Sequence, residues 1–195
     1  MSKRVSSLMI VFLCISFALA GVCYAFVLLT KEAALKKIFG SGSEITVETK
    51  VLEGQKLEDI KRRLGGRLVE YQAGSESRRV AGKKRIDFHF ASREGKKIGV
   101  AIIDVEPGKW GPVEFIIALN LEGVVKVVKV MSYQEKRGRP IARASYMRQY
   151  RGKTSKSTLK VGKDITGISG ATISSRSATF AVRKAIVLYE ELYLK

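Results

Sequence analysis

Cysteine is missing from most of this chain. The two cysteines of the 195-residue sequence, Cys14 and Cys23, both lie in one apolar run near the N-terminus. The rest of the chain therefore cannot form a disulfide, ligate an iron–sulfur cluster, attach haem through a C-x-x-C-H motif or use a thiolate nucleophile. If this protein transfers electrons, an organic cofactor must carry them.

Histidine is almost as scarce, with His89 as the single example. One imidazole is too few for a histidine-rich zinc site, and it leaves a Ser-His-Asp triad only one candidate base. Asp87 and His89 alternate with the apolar residues Ile86, Phe88 and Phe90. This pattern predicts a strand with His89 on its polar side, at the surface.

One long stretch carries no charge at all, residues 8–29. A helix of these 22 residues would extend ~33 Å, about the thickness of the hydrocarbon core of a bilayer. The alternative is a signal peptide cleaved after Ala20, but cleavage there would leave residues 21–29 as an apolar N-terminus in water. We therefore predict a retained transmembrane anchor over residues 1–30. Lysines lie on both sides of the run, so charge does not decide orientation; the short N-terminal tail favours a domain outside the cytoplasm.

Positive charge dominates the sequence, with a formal net charge of +18. The basic runs are scattered, and aromatic residues are not interleaved with them as they are in platforms that bind single-stranded nucleic acid. We interpret the charge as a solvated surface that faces anionic lipid or an acidic protein, and we expect no nucleic-acid partner. The same charge supports a rival function, a membrane-anchored module that binds acidic polymers or lipid surfaces without a cofactor.

Hydrophobic periodicity predicts an α+β fold, a small antiparallel sheet with packed helices, after the anchor. Residues 31–43 are predicted to form an amphipathic stalk with a flexible joint at 40–43, and residues 44–83 the N-terminal part of the soluble domain. The predicted strands are 45–52, 85–90, 97–105, 113–119 and 124–131; the predicted helices are 55–64, 144–150 and 176–194.

Small residues concentrate at 164–176, just before the last predicted helix. Gly170 permits close backbone approach, and the hydroxyls and free N–H groups at a helix start are suited to phosphate. Lys163 and Arg176 add positive charge on either side. The residues alone equally allow an ordinary turn in which Ser174 or Ser175 caps the helix.

The segment Ser169-Gly170-Ala171-Thr172 resembles the flavinylation motif of the FMN-binding domain family. That family includes the covalent-FMN subunits of the Rnf complex and of the sodium-translocating NADH:quinone reductase. The resemblance extends over roughly residues 84–192, through a Trp-Gly-Pro turn at 110–112, a loop with Glu135 and residues 146–153.

The resemblance implies an FMN carried on Thr172 through a phosphoester bond, which a separate flavin transferase makes from FAD with magnesium. It also implies that residues 84–195 are the FMN-binding domain. The cofactor-binding residues expected from it are Ser169, Gly170, Ala171, Thr172, Ile173, Ser174, Glu135 and Gly138. No metal ligand is expected.

The chain departs from the family pattern at Lys136, where the family often has threonine, and just before the motif. The family usually has an aspartate three residues before the serine of the motif, whereas this chain has Thr166 there and Asp164 two residues earlier. Either attachment of the flavin is inefficient, or Asp164 substitutes for the missing acid through a shifted loop.

The predicted function is an electron-transfer flavoprotein component of a redox complex in the bacterial cytoplasmic membrane, rather than a stand-alone enzyme. Its expected partners are other subunits of that complex and the flavin transferase. No G-x-G-x-x-G follows a predicted strand, so donor and acceptor must bring their own cofactors. An enzyme with Thr172 or a nearby serine as nucleophile is disfavoured because His89 is the single candidate imidazole base.

Overall fold

The computed structural model describes residues 26–68, 84–109, 111–134 and 139–195, apart from the side chains of Lys84, Arg139 and Pro140. The strands are β1 (Phe26–Val27), β2 (Glu44–Leu52), β3 (Lys84–Arg93), β4 (Lys96–Pro107), β5 (Pro112–Leu119) and β6 (Val125–Tyr133). The helices are α1 (Lys31–Phe39), α2 (Gly54–Arg63), α3 (Ala144–Met147) and α4 (Thr172–Tyr189), with 3-10 turns at Arg139–Ala142 and Arg148–Tyr150 and a π-helical turn at Glu190–Leu194.

The strands form one sheet in the order β1-β6-β5-β4-β3-β2, and every neighbouring pair is antiparallel. Consecutive strands from β2 to β6 are neighbours, as expected when short turns join antiparallel strands. The predicted α+β class and antiparallel sheet are confirmed. Strands β3 to β6 lie within a few residues of the predicted segments, because period-two alternation along β3 and short apolar runs along β4 and β5 both mark strands locally.

The main core lies between one face of the sheet and α4. Alternate strand residues such as Phe88, Phe115 and Ile117 are buried on this face against Ala181 and Ala185 of the helix. Leu57 and Ile60 of α2 join the same cluster. Small residues on α4 let the helix approach the sheet closely, which fixes the position of its N-terminal end.

A second, smaller core covers the opposite face. Ala34 and Leu35 of α1 are buried against Ala101, Ile116 and Met131. Residues 31–39 are therefore not a stalk in this structure but a helix packed on the sheet.

The predicted flexible joint after α1 is also held in place. Both the hydroxyl of Ser43 and the guanidinium of Arg93 donate to the Phe39 carbonyl, each at 2.8 Å. The prediction of a stalk and a joint rests on composition, which does not report what a short helix packs against.

His89 corrects a second expectation. Its side chain is 4% exposed rather than at the surface; it lies in a cavity that Lys31 of α1 and Ile103 of β4 also line. Burial, together with the charge of Lys31, lowers the pKa of His89. A sheet with helices on both faces breaks the rule that the polar side of a strand faces water.

The end of the predicted anchor is not helical. Phe26 and Val27 pair with Tyr133 and Ser132 as an edge strand, and the backbone N–H groups of Leu28 and Leu29 donate to the Met131 carbonyl. The rest of the predicted span lies outside the described residues. Within the ranges that the structure describes, no helix is both long and apolar enough to span a bilayer.

Candidate functional site

The small-residue loop leads directly into α4. Gly170 has φ of +75° and open space where a Cβ would stand. Ala171 occupies the cap position, so the helix begins at Thr172, earlier than the predicted 176. Thr172 and Ile173 are exposed, and within the described residues their backbone N–H groups have no hydrogen-bond partner. Exposed N–H groups at the positive end of a helix are suited to an anion.

Ser175 ties the loop to the helix. Its hydroxyl accepts a hydrogen bond from the Ile168 N–H at 3.1 Å and donates to the Ala171 carbonyl at 3.0 Å. Ser174 and Ser175 are both buried within the first turns of α4. The alternative of an ordinary turn with either serine as cap is therefore wrong, because the helix has already begun before them.

Asp164 organises the segment before the motif. Its carboxylate accepts hydrogen bonds from the backbone N–H groups of Leu159 and Lys160, at 3.1 and 2.9 Å, and from Lys153 Nζ at 3.0 Å. Partial burial acts to raise the pKa of Asp164, but the bonds from Lys160, Lys153 and Leu159 outweigh it and lower the pKa to about 2. The side chain is therefore ionised and fully engaged at neutral pH.

Gln149 holds Thr166 through its backbone. The amide oxygen of Gln149 accepts from the Thr166 N–H at 2.9 Å, and its amide nitrogen lies 3.4 Å from the Thr166 carbonyl. Next to it, the Tyr150 hydroxyl lies 3.0 Å from Thr179 Oγ1, which donates to the Ser175 carbonyl. Residues 149–153 therefore support both the loop and the start of α4, roles that no local sequence pattern indicated.

A groove of 690 Å³ runs beside the first turns of α4. Ile173 and Phe180 supply apolar surface. Both lie on the same side of the helix as Arg176, at spacings of three and four residues. The cations that line the groove are Arg67, Lys160, Arg176 and Arg183, and Glu106 is its single carboxylate among the described lining residues. A groove of this size and charge suits an anionic ligand the size of a cofactor.

The structure brings together six of the eight expected site residues, Ser169 to Ser174. Ser169, Gly170, Thr172 and Ile173 are exposed, whereas Ala171 and Ser174 are buried. Glu135 and Gly138 lie outside the described residues, as does Trp110. The groove itself was not predicted, because Arg67, Lys160 and Glu106 are distant in the sequence.

The part of the chain that contains this site is similar to a known protein family. Residues 108–187, which include the motif and the groove-lining part of α4, match the family model of the FMN-binding domain. The resemblance in the sequence is confirmed, and FMN is the cofactor of the domain.

Relatives of the FMN-binding domain include a component of a redox complex. The chain is 28% identical over 123 residues to one component of the ion-translocating oxidoreductase complex of Aliivibrio fischeri (strain MJ11), a match that covers 57% of this chain and 59% of that protein. The chain thus matches less than two thirds of the length of this relative. The crystal structure of Shewanella oneidensis NqrC is similar at a TM-score of 0.44 and 16% identity, covering 79% of this chain and 82% of that one.

The residues present fit FMN. The phosphate requires donors, which the exposed N–H groups of Thr172 and Ile173 supply, and Gly170 leaves space beside them. The ring system requires a flat apolar contact with polar edges, and Phe180 lies in the groove among its cations. Arg67 already stacks on the Phe180 ring at 4.7 Å.

Proposed function

We propose that this protein is a membrane-anchored electron carrier whose FMN is attached to Thr172 through a phosphoester. The observation that carries the proposal is the position of Thr172: it is exposed as the first residue of α4, next to Ile173 and one turn before Arg176, both of which line the basic groove. A phosphate on the Thr172 hydroxyl oxygen lies where the helix dipole and the free N–H groups favour negative charge.

The groove is proposed to hold the isoalloxazine ring. When bound, FMN is the group that accepts and releases electrons. Ile173 and Phe180 would contact the ring, while the cations of the groove stabilise negative charge that accumulates there on reduction. The protein's own contribution is thus to fix the cofactor and to set the electrostatic potential around it.

The redox partners are proposed to be other subunits of a membrane complex. The support is the match to a component of an ion-translocating oxidoreductase complex and the apolar run at residues 8–29, whose part before Phe26 we propose anchors the domain outside the cytoplasm of a bacterium. A separate flavin transferase would load the cofactor.

The loop with Glu135 and Gly138 is proposed to lie near the flavin. Its flanking residues support this placement. Gln134 packs so closely on Gly111 that any side chain at position 111 would collide with the side chain of Gln134. The turn that contains Gly111 follows Pro107, whose carbonyl accepts a hydrogen bond from Ser177 at the edge of the groove.

Asp164 is proposed not to replace the aspartate that the family has at position 166. To do so it would have to give up its bonds to Lys153, Leu159 and Lys160. Attachment at Thr172 would then proceed without an acid at this position and more slowly than with one.

The test is co-expression of the protein with a flavin transferase, followed by denaturing electrophoresis and in-gel fluorescence. Thr172→Ala should abolish fluorescence that survives denaturation, and Thr172→Ser should retain part of it because the reacting oxygen remains. Ser169→Ala is the matched control, since it removes a neighbouring exposed hydroxyl and should keep the label. Fluorescence that persists in Thr172→Ala would move the attachment to another residue.

A second groove supports contact with anionic lipid in addition to the flavin. It has a volume of 440 Å³ and adjoins Leu28 and Leu29, the last residues of the apolar run. The described residues that line it include no carboxylate and five cations, Lys37, Lys126, Lys129, Arg148 and Arg151. Such a groove on a domain held at a membrane attracts phospholipid headgroups.

Lysine labelling of the full-length protein in nanodiscs tests this contact. Lys126 and Lys129 should react several-fold more slowly with an amine reagent in phosphatidylglycerol discs than in phosphatidylcholine discs. Lys56, exposed on α2, is the internal control and should not change. If Lys126 and Lys129, like Lys56, each react at the same rate in both kinds of disc, the lipid contact is wrong.

A further inference from the structure

Two buried ionisable side chains, Lys184 and Glu106, lie between α4 and the sheet together with the partly buried Asp104. Lys184 of α4 is 1% exposed, and its Nζ lies 2.7 Å from Asp104 Oδ1 and 2.5 Å from Glu106 Oε1. Asp104 and Glu106 alternate along β4 and so project from the same face. Apolar residues of similar volume would commonly stabilise a core as well or better than such a cluster, so stability does not account for it.

The cluster connects two cavities. Glu106 lines the cofactor groove together with Ser177 and Phe180. Asp104 and Lys184 line a separate cavity of 350 Å³, which also contains His89. Each of the three clustered side chains thus borders open space on one side of the core or the other.

The second cavity arises from a divergence of two strands. The pairing of β3 with β4 begins at Phe88 and Ile102, whereas β4 continues to Pro107 alongside β5 alone. Between the diverging segments, Asp87 from β3 and Ile103 from β4 line the cavity. The gap opens a path through the sheet from the face covered by α1 to the buried cluster.

Two buried polar atoms in this path lack hydrogen-bond partners among the described residues, Asp104 Oδ2 and His89 Nδ1. Buried polar atoms are normally satisfied by protein or by ordered water, and a polar cavity of this size has room for several waters. The arrangement is that of a hydrated route leading to Asp104.

We propose that Glu106, Lys184 and Asp104 form a proton-exchange cluster that serves the cofactor groove, with Glu106 facing the flavin and Asp104 facing water. This inference rests on the proposed function, because it requires FMN in the groove. Glu106 would supply the proton that bound FMN takes up on two-electron reduction by the redox partner, its O–H bond breaking as an N–H bond forms. Lys184 would stabilise the resulting carboxylate, which would regain a proton from water through Asp104.

The charges around Glu106 allow this exchange at neutral pH. Burial raises the pKa of Glu106, the charge of Lys184 opposes that effect and the charge of Asp104 adds to it, giving a pKa of about 7. A proton-transfer group works best when its pKa is near the working pH. The other charged groups facing the two cavities are Arg67, Lys160, Arg176 and Arg183 on the groove side and Lys31, Arg85, Asp87, His89 and Glu114 on the other.

The first experiment measures the flavin midpoint potential of the loaded full-length protein on both sides of pH 7. The wild type should change slope near pH 7, where Glu106 of the oxidised protein passes from protonated to ionised. Above that pH, reduction draws one further proton from water into the cluster, which adds up to ~30 mV for each tenfold change in proton concentration in a two-electron step. Glu106→Gln should lose this change of slope, and Asp104→Asn should move it to lower pH. Glu122→Gln, an exposed residue of the β5–β6 turn, removes the same charge and should behave as wild type.

The second experiment follows the carboxyl groups themselves by infrared spectroscopy of the oxidised protein. A protonated-carboxyl band should titrate near pH 7 and be missing in Glu106→Gln, while circular dichroism confirms that the variant is folded. If the loaded Glu106→Gln variant shows the same slope of midpoint potential against pH as wild type, the proton-exchange role of the cluster is wrong. The same follows if wild type has no protonated-carboxyl band. Either result leaves the proposed function untouched. Protein that binds no flavin after exposure to the transferase would overturn the proposed function and this inference together.

Discussion

Asp164→Asn should destabilise the protein at neutral pH and loosen the loop that leads to Thr172. Asparagine keeps the size of the side chain but removes the charge that attracts Lys153 and the N–H groups of Leu159 and Lys160. The variant therefore isolates the electrostatic part of these contacts.

The magnitude follows from the pKa of Asp164. A folded-state pKa of about 2, compared with an ordinary value of 3.8, corresponds to ~2.4 kcal/mol of extra stability when the group is ionised. The side chain is 22% exposed, so screening by solvent reduces this to about 1–2 kcal/mol. For a chain of this size the expected fall in Tm is ~3–6 °C.

The pH dependence has a definite sign. Because the folded-state pKa of Asp164 is lowered, its stabilisation is complete above pH 3.8 and is lost as the pH falls through about 2. Urea unfolding of wild type and Asp164→Asn should differ at pH 7 and converge toward pH 2. Asp59→Asn is the control, since Asp59 pairs with Arg62 on the surface and should matter little. A variant as stable as wild type at pH 7, or one equally weakened at both pH values, would refute the reasoning.

Three further changes test other parts of the structure. Ser175→Ala should cost about 1–2 kcal/mol in urea unfolding, because it leaves the part-buried Ile168 N–H without its acceptor; no loss would mean that water replaces the hydroxyl. Leu35→Ala should cost ~2–5 kcal/mol and Lys36→Ala little, since α1 packs on the sheet through Leu35; equal stability of the two variants would restore the flexible stalk. Electron transfer with the native partner should slow as salt rises, because the net charge of +18 steers docking over about a Debye length, ~8 Å at physiological salt; rates independent of ionic strength would show that the charge is only solvated surface.

The sequence predicted the sheet well because its signal is local. Short apolar runs along β4 and β5 mark buried strands whatever they pack against, and the apolar stripe of α4 marks its buried face. The prediction for His89 was wrong because its surroundings depend on residues distant in the sequence, such as Lys31 and Ile103, which line the same cavity. The start of α4 was predicted too late because Ser174 and Ser175, typical of a cap, are instead buried inside the helix.

The candidate site likewise has a part that the sequence predicted and a part that it did not. The motif from Ser169 to Thr172 was identified by resemblance because it is contiguous. The roles of Gln149 and Lys153 in supporting its loop were not identified. These residues contact the Thr166 backbone and Asp164, which lie more than ten residues away in the sequence. The groove and the Glu106–Lys184 pair likewise depend on where β4 and α4 meet, which periodicity does not report.

Because Gln149 binds only the backbone of Thr166, the side chain at position 166 can be changed by protein engineering. The scaffold recognises the peptide group there and leaves the side chain exposed to solvent. Thr166→Asp would therefore install the acid usual in the family without disturbing the loop geometry. Comparing the rates at which a flavin transferase labels the two proteins would then measure the contribution of that acid alone, on a single scaffold.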